Sequence, residues 1–173
     1  MRDFDKDIEM NPLHPPFYNE RGNKRLSVFD YHGALEDFLK AAELDPNYSI
    51  HFFNCGVARF YLKDFNGAID EFSKAISIKP LNAGYYYNRG VAKCALGKID
   101  AGIDDLSSAI ELWPKYIEAH ILRGEAKGGF VKGCYNPLKD NELISIFHGD
   151  FESLMEEITE IEKHKLRTML NNN

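Results

Sequence analysis

Basic residues recur in pairs along this chain, one helical turn apart. Arg89 and Lys93 flank Gly90 in the stretch NRGVAK, and an earlier related stretch, NCGVAR, ends at Arg59. Side chains four residues apart share one face of a helix, so such a pair could grip an anionic ligand. The same pairs could instead belong to the framework of the fold. The choice between these interpretations decides which face of the protein should carry its function.

Other residues that could support catalysis or metal binding lack the necessary spacing. The glycine-rich run GEAKGGFVKG continues into Cys134, whereas a phosphate-binding loop needs Lys and then Ser or Thr at that point. The histidines have no metal-ligand spacing such as HExxH, and we expect His120, in a column of aromatic residues, to fill the core. Carboxylates fall on predicted solvent-facing helix surfaces. We therefore predict a protein that is not an enzyme and holds no cofactor and no metal ion.

Composition narrows the classes of partner and compartment. With 21 Lys and Arg against 27 Asp and Glu, the net charge of −6 disfavours general binding to nucleic acid or to an anionic membrane. No apolar run approaches the ~20 residues of a membrane span, and the N-terminal stretch MRDFDKDIEM lacks a signal-peptide core. We therefore expect a cytoplasmic protein. The widely spaced Cys55, Cys94 and Cys134 predict buried free thiols rather than disulfides or a zinc site.

The strongest signal in the sequence is an internal repeat. Residues of the same type recur at one fixed spacing along the chain, the spacing that separates Gly56 from Gly90. Glycine, alanine, aromatic and proline positions all repeat with this spacing and in phase with one another. The columns are Gly22, Gly56, Gly90 and Gly124; Ala34, Ala68 and Gly102; Phe38, Phe72 and Leu106; Ala41, Ala75 and Ala109; and Pro46, Pro80 and Pro114. An aromatic residue or His also stands four residues before each glycine, at Tyr18, Phe52, Tyr86 and His120. Columns in phase predict a repeat protein.

Each column has a physical reason to recur. Glycine inside a helix costs about 0.5–1 kcal/mol relative to alanine, so a recurring helical glycine predicts a second helix packed closely against it. The alanines supply matching small surfaces, and the aromatic residues fill the wider gaps between helices. Proline cannot continue a helix, so each proline of the last column should end the second helix of a pair. The sequence therefore predicts repeated helix-turn-helix units.

These columns closely resemble the tetratricopeptide repeat family, whose helix-turn-helix units have the same period. The resemblance covers nearly the whole chain and implies an all-α fold, a right-handed superhelix (α-solenoid) of such repeats. The chain departs from the commonest family pattern beside the glycines. Where that pattern has Leu and Tyr, this sequence has Arg or Cys one residue before the glycine and Arg or Lys three residues after it.

The period divides a single domain, residues 1–173, into successive units. Residues 1–14 match only the second helix of a repeat, and complete repeats span 15–48, 49–82 and 83–116. The fourth repeat, 117–173, contains an insertion that covers approximately 131–148, since GDFESLMEEITEI aligns with KDFNGAIDEFSKA only after that shift. A last helix is predicted at about 150–170.

Both ends of the array leave alternatives open. The N-terminal half repeat is either a native cap or part of a longer array, and Asp7 stands where later repeats have alanine. The predicted last helix carries an apolar stripe made of Phe151, Leu154, Met155, Ile158 and Ile161. This stripe either closes the superhelix as a cap or docks on a partner or on a second copy.

The resemblance implies a binding site on the concave face, which the first helix of each pair lines. Carried over position by position, the candidate peptide-binding residues are Asn19, Asn23, Ile50, Phe53, Asn54, Val57, Phe60, Tyr61, Tyr87, Asn88 and Val91. We call these residues the concave groove. They are polar at one end and apolar or aromatic in the middle, and they predict an apolar or amphipathic peptide of another protein as the ligand. The insertion or the last helix could instead fill the groove.

A subfamily of these repeats, associated with chaperones, binds C-terminal carboxylates through a clamp of two Lys, two Asn and one Arg. At the matching positions this chain keeps Asn23 and Asn54. Asn19, Gly84 and Asn88 replace the three basic residues. Because the positive charge of the clamp is missing, a carboxylate-clamp co-chaperone is not favoured.

Acidic residues recur with the same period as the basic pairs, at Asp37, Glu71 and Asp105. This pattern favours an ion-pair ladder between paired helices over a ligand grip. The leading hypothesis for function is a protein-protein interaction scaffold that binds a peptide in the concave groove. The alternative is a self-associating structural module, a homo-oligomer that uses the open N-terminal half repeat and the C-terminal helix.

Overall fold

The computed structural model describes residues 4–128, and the regular structure in this part of the chain is entirely helical. The helices are α1 Phe4–Met10, α2 Pro15–Ser27, α3 Tyr31–Leu44, α4 Ser49–Tyr61, α5 Phe65–Ile78, α6 Ala83–Ala95, α7 Ile99–Leu112 and α8 Ile117–Lys127. Helices α2 and α3, α4 and α5, and α6 and α7 pack as pairs, and each pair packs on the next. The predicted all-α helical-repeat solenoid is confirmed.

Local sequence sets the helix boundaries. Pro15 opens α2, where its missing N–H is harmless because the first N–H groups of a helix have no partner in the helix. The side chains of Asp30 and Asp64 cap α3 and α5, accepting hydrogen bonds from the backbone N–H of Gly33 and of Gly67 at 3.0 Å each. The second helix of each pair ends two residues before its proline. Short turns therefore hold the two helices of a repeat side by side.

The glycine column lies where paired helices touch. A Cβ atom at Gly22 would lie 2.6 Å from Cε1 of Phe38, and a Cβ atom at Gly56 would lie 2.6 Å from Cε1 of Phe72. Both phenylalanines are almost fully buried, at 0% and 1% exposure. The alanines at positions 34, 41, 68, 75 and 109 are also fully buried. Glycine is thus required because the aromatic ring of the neighbouring helix occupies the space of its side chain.

Two polar members of the aromatic column, Tyr18 and His120, bond to the preceding loop. The hydroxyl of Tyr18 donates to the carbonyl of Pro12 at 2.9 Å, and Nε2 of His120 lies 3.0 Å from the carbonyl oxygen of Pro114. His120 is nevertheless exposed. The prediction that His120 fills the core is wrong, because its ring nitrogen holds the loop before α8 and its ring remains in contact with solvent.

The predicted free thiols at Cys55 and Cys94 are confirmed, and both are buried. Burial raises the pKa of Cys55 to about 12, and the negative charge of Glu71 adds to this effect. Cys134, the insertion near 131–148 and the last helix with its apolar stripe lie outside the described residues. Among the helices of residues 4–128, none is long and apolar enough to cross a membrane.

Candidate peptide-binding groove

The basic pair of the first repeat points at the acid of the paired helix. Nη2 of Arg21 lies 2.6 Å from Oδ1 of Asp37, and Nη1 of Arg25 lies 3.0 Å from Oδ2 of the same carboxylate. Asp37 is only 2% exposed. Close contact with two guanidinium groups offsets the cost of burying this carboxylate. The pair therefore joins α2 to α3.

The third repeat, where the NRGVAK stretch lies, repeats this arrangement. Nη2 of Arg89 lies 2.8 Å from Oδ1 of Asp105, and Nζ of Lys93 lies 2.7 Å from Oδ2. Asp105 is 5% exposed, so both cations are committed to a buried partner. The framework interpretation of the basic pairs is thus confirmed for this repeat. A ligand would have to compete with an internal carboxylate to reach these side chains.

The second repeat has cysteine instead of the first basic residue, and its acid faces the second basic residue, Arg59, and a lysine of its own helix, Lys74. Glu71 is 5% exposed, and its carboxylate lies 3.8 Å from Nε of Arg59 and 3.1 Å from Nζ of Lys74. These side chains line a surface depression of about 580 Å³. Because both cations already face Glu71, and Asp70 lines the same depression, the site does not favour an anionic ligand.

The three arginines that directly precede a glycine of the column, Arg21, Arg89 and Arg123, also reach back to the preceding helical unit. The contacts run from Nη1 of Arg21 to Asp5 at 2.6 Å, from Nη1 of Arg89 to Ser73 at 3.1 Å, and from Nη1 of Arg123 to Ser107 at 3.4 Å. The number of residues between the acceptor and its arginine is the same in all three contacts. In the second repeat, Cys55 and Leu39 occupy the two positions, so the donor and the acceptor are replaced together. These arginines connect adjacent repeats.

The polar end of the concave groove contains three asparagines. Nδ2 of Asn54 donates to Oδ1 of Asn19 at 2.8 Å, which joins α4 to α2. Oδ1 of Asn23 is buried and has no hydrogen-bond partner among the described residues. Asn54 is 6% exposed, whereas Asn19 and Asn23 are half-buried. This end can offer amide groups to a ligand, but no charge.

Three of the apolar groove residues are buried. Phe53 is 7% exposed, and its ring centroid lies 5.7 Å from that of Phe72 and 5.2 Å from that of Tyr85. Val57 and Val91 are 3% and 6% exposed. Their position on the groove stays a prediction, but they offer little surface to a ligand. The ring contacts of Phe53 show that this residue also supports the packing of α4, α5 and α6.

The more accessible aromatic residues of the groove lie at the C-terminal end of α4, close to the first residues of α3 and α5. Tyr61 stacks on Tyr31 with ring centroids 4.9 Å apart and planes 5° apart. Burial raises the pKa of Tyr61 to about 12, and Tyr31 contributes further. Phe60 lies against both Tyr61 and Phe65, with centroids 6.3 and 5.2 Å away. Phe60, Tyr61 and Ile50 remain partly exposed, so they can contact a ligand.

The far end of the groove is aromatic and close to negative charge. The ring centroid of Tyr87 lies 4.8 Å from that of Tyr116. Burial raises the pKa of Tyr87, and the nearby carboxylates of Glu118 and Glu125 raise it further. Nδ2 of Asn88 donates to the carbonyl of Gly84 at 2.7 Å within α6. This end therefore favours neutral or basic groups over acidic ones.

Two aromatic residues beside the groove were not identified from the sequence. Tyr31 stacks on Tyr61 from α3, and Tyr116 packs on Tyr87 from the turn before α8. The sequence does contain a pattern that includes Tyr31. The second helix of each pair starts with an apolar or aromatic residue, and these residues are one period apart: Tyr31, Phe65 and Ile99. That signal indicates burial, but it does not indicate which ring of the neighbouring repeat is contacted.

Comparisons with known proteins agree with this architecture. A family described as TPR repeat matches residues 58–97. The first TPR of Spaghetti (RPAP3), bound to the HSP90 peptide SRMEEVD, is 25% identical, with a TM-score of 0.65 over 68% of this chain and 94% of that chain. The second TPR domain of human RPAP3, in complex with the HSP70 peptide SGPTIEEVD, is 20% identical, with a TM-score of 0.62 over 66% of this chain and 98% of that chain.

MamA extends the structural likeness over more of the chain. Its crystal structure is 23% identical and has a TM-score of 0.71, covering 94% of this chain and 87% of MamA. At that identity the likeness concerns the fold alone. No curated protein sequence gives a significant match.

Proposed function

Because this chain is a tetratricopeptide repeat protein, we propose that it is a non-enzymatic protein-interaction scaffold that binds an apolar or amphipathic peptide segment in its concave groove. One observation carries the proposal. The groove side chains that stay partly exposed in the middle repeats include Ile50, Phe60, Tyr61 and Tyr87, which are apolar or aromatic and uncharged. Aromatic residues that are already packed on one side lose little entropy when a ligand covers the other.

The chemistry of the ligand follows from the charges around these rings. The similar RPAP3 domains bind the peptides SRMEEVD and SGPTIEEVD, which end in acidic residues. In this chain Asn19, Gly84 and Asn88 stand at the positions where a carboxylate clamp has cations. Glu118 and Glu125 add negative charge beside Tyr87. The ligand proposed here is therefore a segment with apolar side chains on one face and without an acidic C-terminus.

Peptide display on the full chain tests this proposal. A library of random peptides would be selected on the wild-type protein, and the affinity of the enriched peptides would be measured by fluorescence anisotropy. We expect enrichment of Leu, Ile, Phe and Trp with apolar spacing, and an affinity that falls at least about tenfold in Ile50→Asp. An acid in the first turn of α4 suits the helix dipole, so this variant should stay folded.

Leu39→Asp is the matched control, because Leu39 is 41% exposed on α3, outside the groove. Both variants replace a partly exposed apolar residue by the same acid. The proposal requires that only Ile50→Asp weakens binding. Equal losses in the two variants, or selected peptides dominated by acidic C-termini, would contradict it.

A further inference from the structure

A run of aromatic side chains lies at the turns of the first two complete repeats. The rings contact one another in the order Phe29, Tyr31, Tyr61, Phe60 and Phe65, with neighbouring centroids 6.2, 4.9, 6.3 and 5.2 Å apart. None of these residues is buried, and Phe29 is 51% exposed. We call them the aromatic surface. We propose that the aromatic surface binds a proline-rich segment of another protein in the polyproline II conformation.

The repeat fold does not require these rings. The third repeat has Gly97, Ile99, Cys94 and Ala95 at the matching positions, and it forms its helix pair without an aromatic residue there. The core columns recur in every complete repeat, whereas this run of rings does not. Apolar residues that the packing does not need, and that stay partly exposed as a group, are typical of an interaction surface.

Phe29 combines an unfavourable backbone conformation with an exposed ring. Its φ of 64° lies in the left-handed region, which residues with a Cβ atom rarely adopt. Gly97 occupies the matching position of the third repeat with a φ of 76°. The neighbouring Val28 is 62% exposed, so this turn presents two adjacent apolar side chains at the surface. A strained backbone that displays an aromatic ring supports a role in binding.

The stacked pair of Tyr31 and Tyr61 supplies hydrogen-bond donors at the centre of the aromatic surface. The hydroxyl of Tyr31 is buried and has no hydrogen-bond partner among the described residues. A ligand acceptor that reached this hydroxyl would gain a hydrogen bond without breaking one inside the protein. Burial raises the pKa of both tyrosines, so both hydroxyls are protonated at neutral pH and can donate. The surface therefore suits a ligand with free carbonyl oxygens.

The carboxylates beside the aromatic surface are already engaged. Asp30 and Asp64 cap α3 and α5 by accepting hydrogen bonds from backbone N–H groups. The ligand therefore needs flat apolar groups and free carbonyls rather than charge. A polyproline II segment has both, because its rings are apolar and its backbone makes no internal hydrogen bonds. A helical ligand uses its carbonyls internally, so it would leave the hydroxyl of Tyr31 without an acceptor.

The sequence of this chain contains no such segment. Its longest run of prolines is Pro15 and Pro16, which lie in the first turn of α2, and residues 129–173 contain only Pro137. The proposed occupant is therefore a different protein. A polyproline II helix is ordered before it binds, so a shallow surface can hold it at a small entropic cost. The aromatic surface shares Phe60 and Tyr61 with the concave groove, but it takes a different class of ligand.

Two glycine substitutions at equivalent turn positions test the proposal. Phe29→Gly removes the exposed ring, and Lys63→Gly, where φ is 63°, is the matched control one period later. Both changes place glycine where the backbone favours it, so both variants should keep or raise the melting temperature. Fluorescence anisotropy would measure binding of a labelled decaproline peptide to the full chain. We expect binding to the wild type and to Lys63→Gly, and a loss of at least about tenfold in Phe29→Gly.

Ile50→Asp separates the aromatic surface from the concave groove. This variant should bind decaproline within about twofold of the wild type, because Ile50 is not part of the aromatic surface. The same variant should lose affinity for the apolar peptides of the groove, so the two proposals can fail independently.

Four outcomes would overturn the assignment of a proline-rich ligand. They are absence of decaproline binding to the wild type, equal affinity in Phe29→Gly and Lys63→Gly, a loss in Ile50→Asp as large as in Phe29→Gly, and equal binding of a helix-forming peptide of leucine and alanine of the same length. The last result would show general apolar adsorption instead of recognition of polyproline II.

Discussion

Arg89 and Asp105 form a two-point ion pair between α6 and α7, with Nε to Oδ2 at 2.9 Å and Nη2 to Oδ1 at 2.8 Å. The remaining nitrogen of Arg89, Nη1, donates to Ser73 of the preceding repeat at 3.1 Å. One side chain thus joins the helices of its own repeat and also joins that repeat to the previous one. These contacts indicate that the basic residues flanking the glycine column stabilise the solenoid rather than grip a ligand.

Removing Arg89 should destabilise the protein more than it affects binding. Arg89→Ala leaves Asp105, which is 5% exposed, with Lys93 as its remaining basic partner among the described residues. A buried carboxylate that loses a two-point partner costs about 2 kcal/mol in the free energy of unfolding. Chemical denaturation would measure this loss, and peptide affinity in the groove should stay within about twofold.

Arg123→Ala is the matched control for this prediction. Arg123 occupies the same position of its repeat, but its contact is the longer one to Ser107 at 3.4 Å. We expect a loss below about 0.5 kcal/mol. Equal losses at the two arginines, or a loss of binding in Arg89→Ala without a loss of stability, would restore the ligand interpretation of the basic pair.

Two glycines of the same column should respond in opposite ways to substitution by alanine. In Gly22→Ala the added methyl group would lie 2.6 Å from Cε1 of Phe38, which is fully buried and cannot move away. We expect a loss of about 1–3 kcal/mol. In Gly124→Ala the methyl group meets no described atom within 4 Å, so helix propensity should raise stability by about 0.5–1 kcal/mol. Guanidinium titrations of the dilute protein would show whether the signs differ.

The fold and its ion-pair framework could be predicted because both depend on spacing alone. Gly22 and Phe38 are as far apart along the chain as Arg89 and Asp105, and both pairs meet across paired helices. Residues with this sequence separation therefore contact each other across the paired helices of a repeat, and the contact recurs with the period of the sequence. His120 shows the limit of this reasoning. It shares a column with Tyr18, yet it is exposed because its environment depends on the neighbouring helical unit and not on its own position in the repeat.

The depth of the groove residues could not be predicted from the same spacing. The carried-over pattern assigns Phe53 to a face of α4, but its exposure depends on the rings of Phe72 and Tyr85, which come from two other helices. Tyr31 likewise reaches Tyr61 from the start of α3. Contacts between large side chains of different repeats depend on rotamers and on the angle between repeats. Neither quantity follows from a period.

Restoring the missing cations should create affinity for acidic C-termini. The triple variant Asn19→Lys, Gly84→Lys and Asn88→Arg places positive charge at the three clamp positions beside the retained Asn23 and Asn54. We expect the peptide SRMEEVD to bind this variant with micromolar affinity that weakens with salt, and not to bind the wild type. Calorimetric titration at two ionic strengths would measure the change.

The control for the clamp variant is a peptide of the same length with an amidated C-terminus. It should lose most of the affinity, because the clamp recognises the free carboxylate. Failure of the triple variant to distinguish the two peptides would mean that the concave positions carried over from the family do not converge on one site in this chain.

His51 should make stability dependent on pH in the mildly acidic range. It is 3% exposed, and its Nδ1 has no hydrogen-bond partner among the described residues. Burial lowers its pKa, and the charge of Asp45 opposes this shift only in part. Below about pH 6.5 the unfolded chain therefore binds a proton that the folded protein does not bind. The free energy of unfolding should then fall with decreasing pH, by at most about 1.4 kcal/mol per pH unit for this residue.

His51→Phe tests this assignment, because it keeps a ring against Tyr48, whose centroid is 5.0 Å away, and removes the titrating group. Above about pH 7.5 the histidine is almost entirely neutral in both states, so the variant should show the same pH dependence as the wild type there. Between pH 7.5 and 5.5, roughly the range of histidine titration, the fall in stability should be smaller than in the wild type. His32→Gln, at an exposed position, should keep the wild-type fall. Parallel curves for His51→Phe and the wild type would show that another group causes the acid sensitivity.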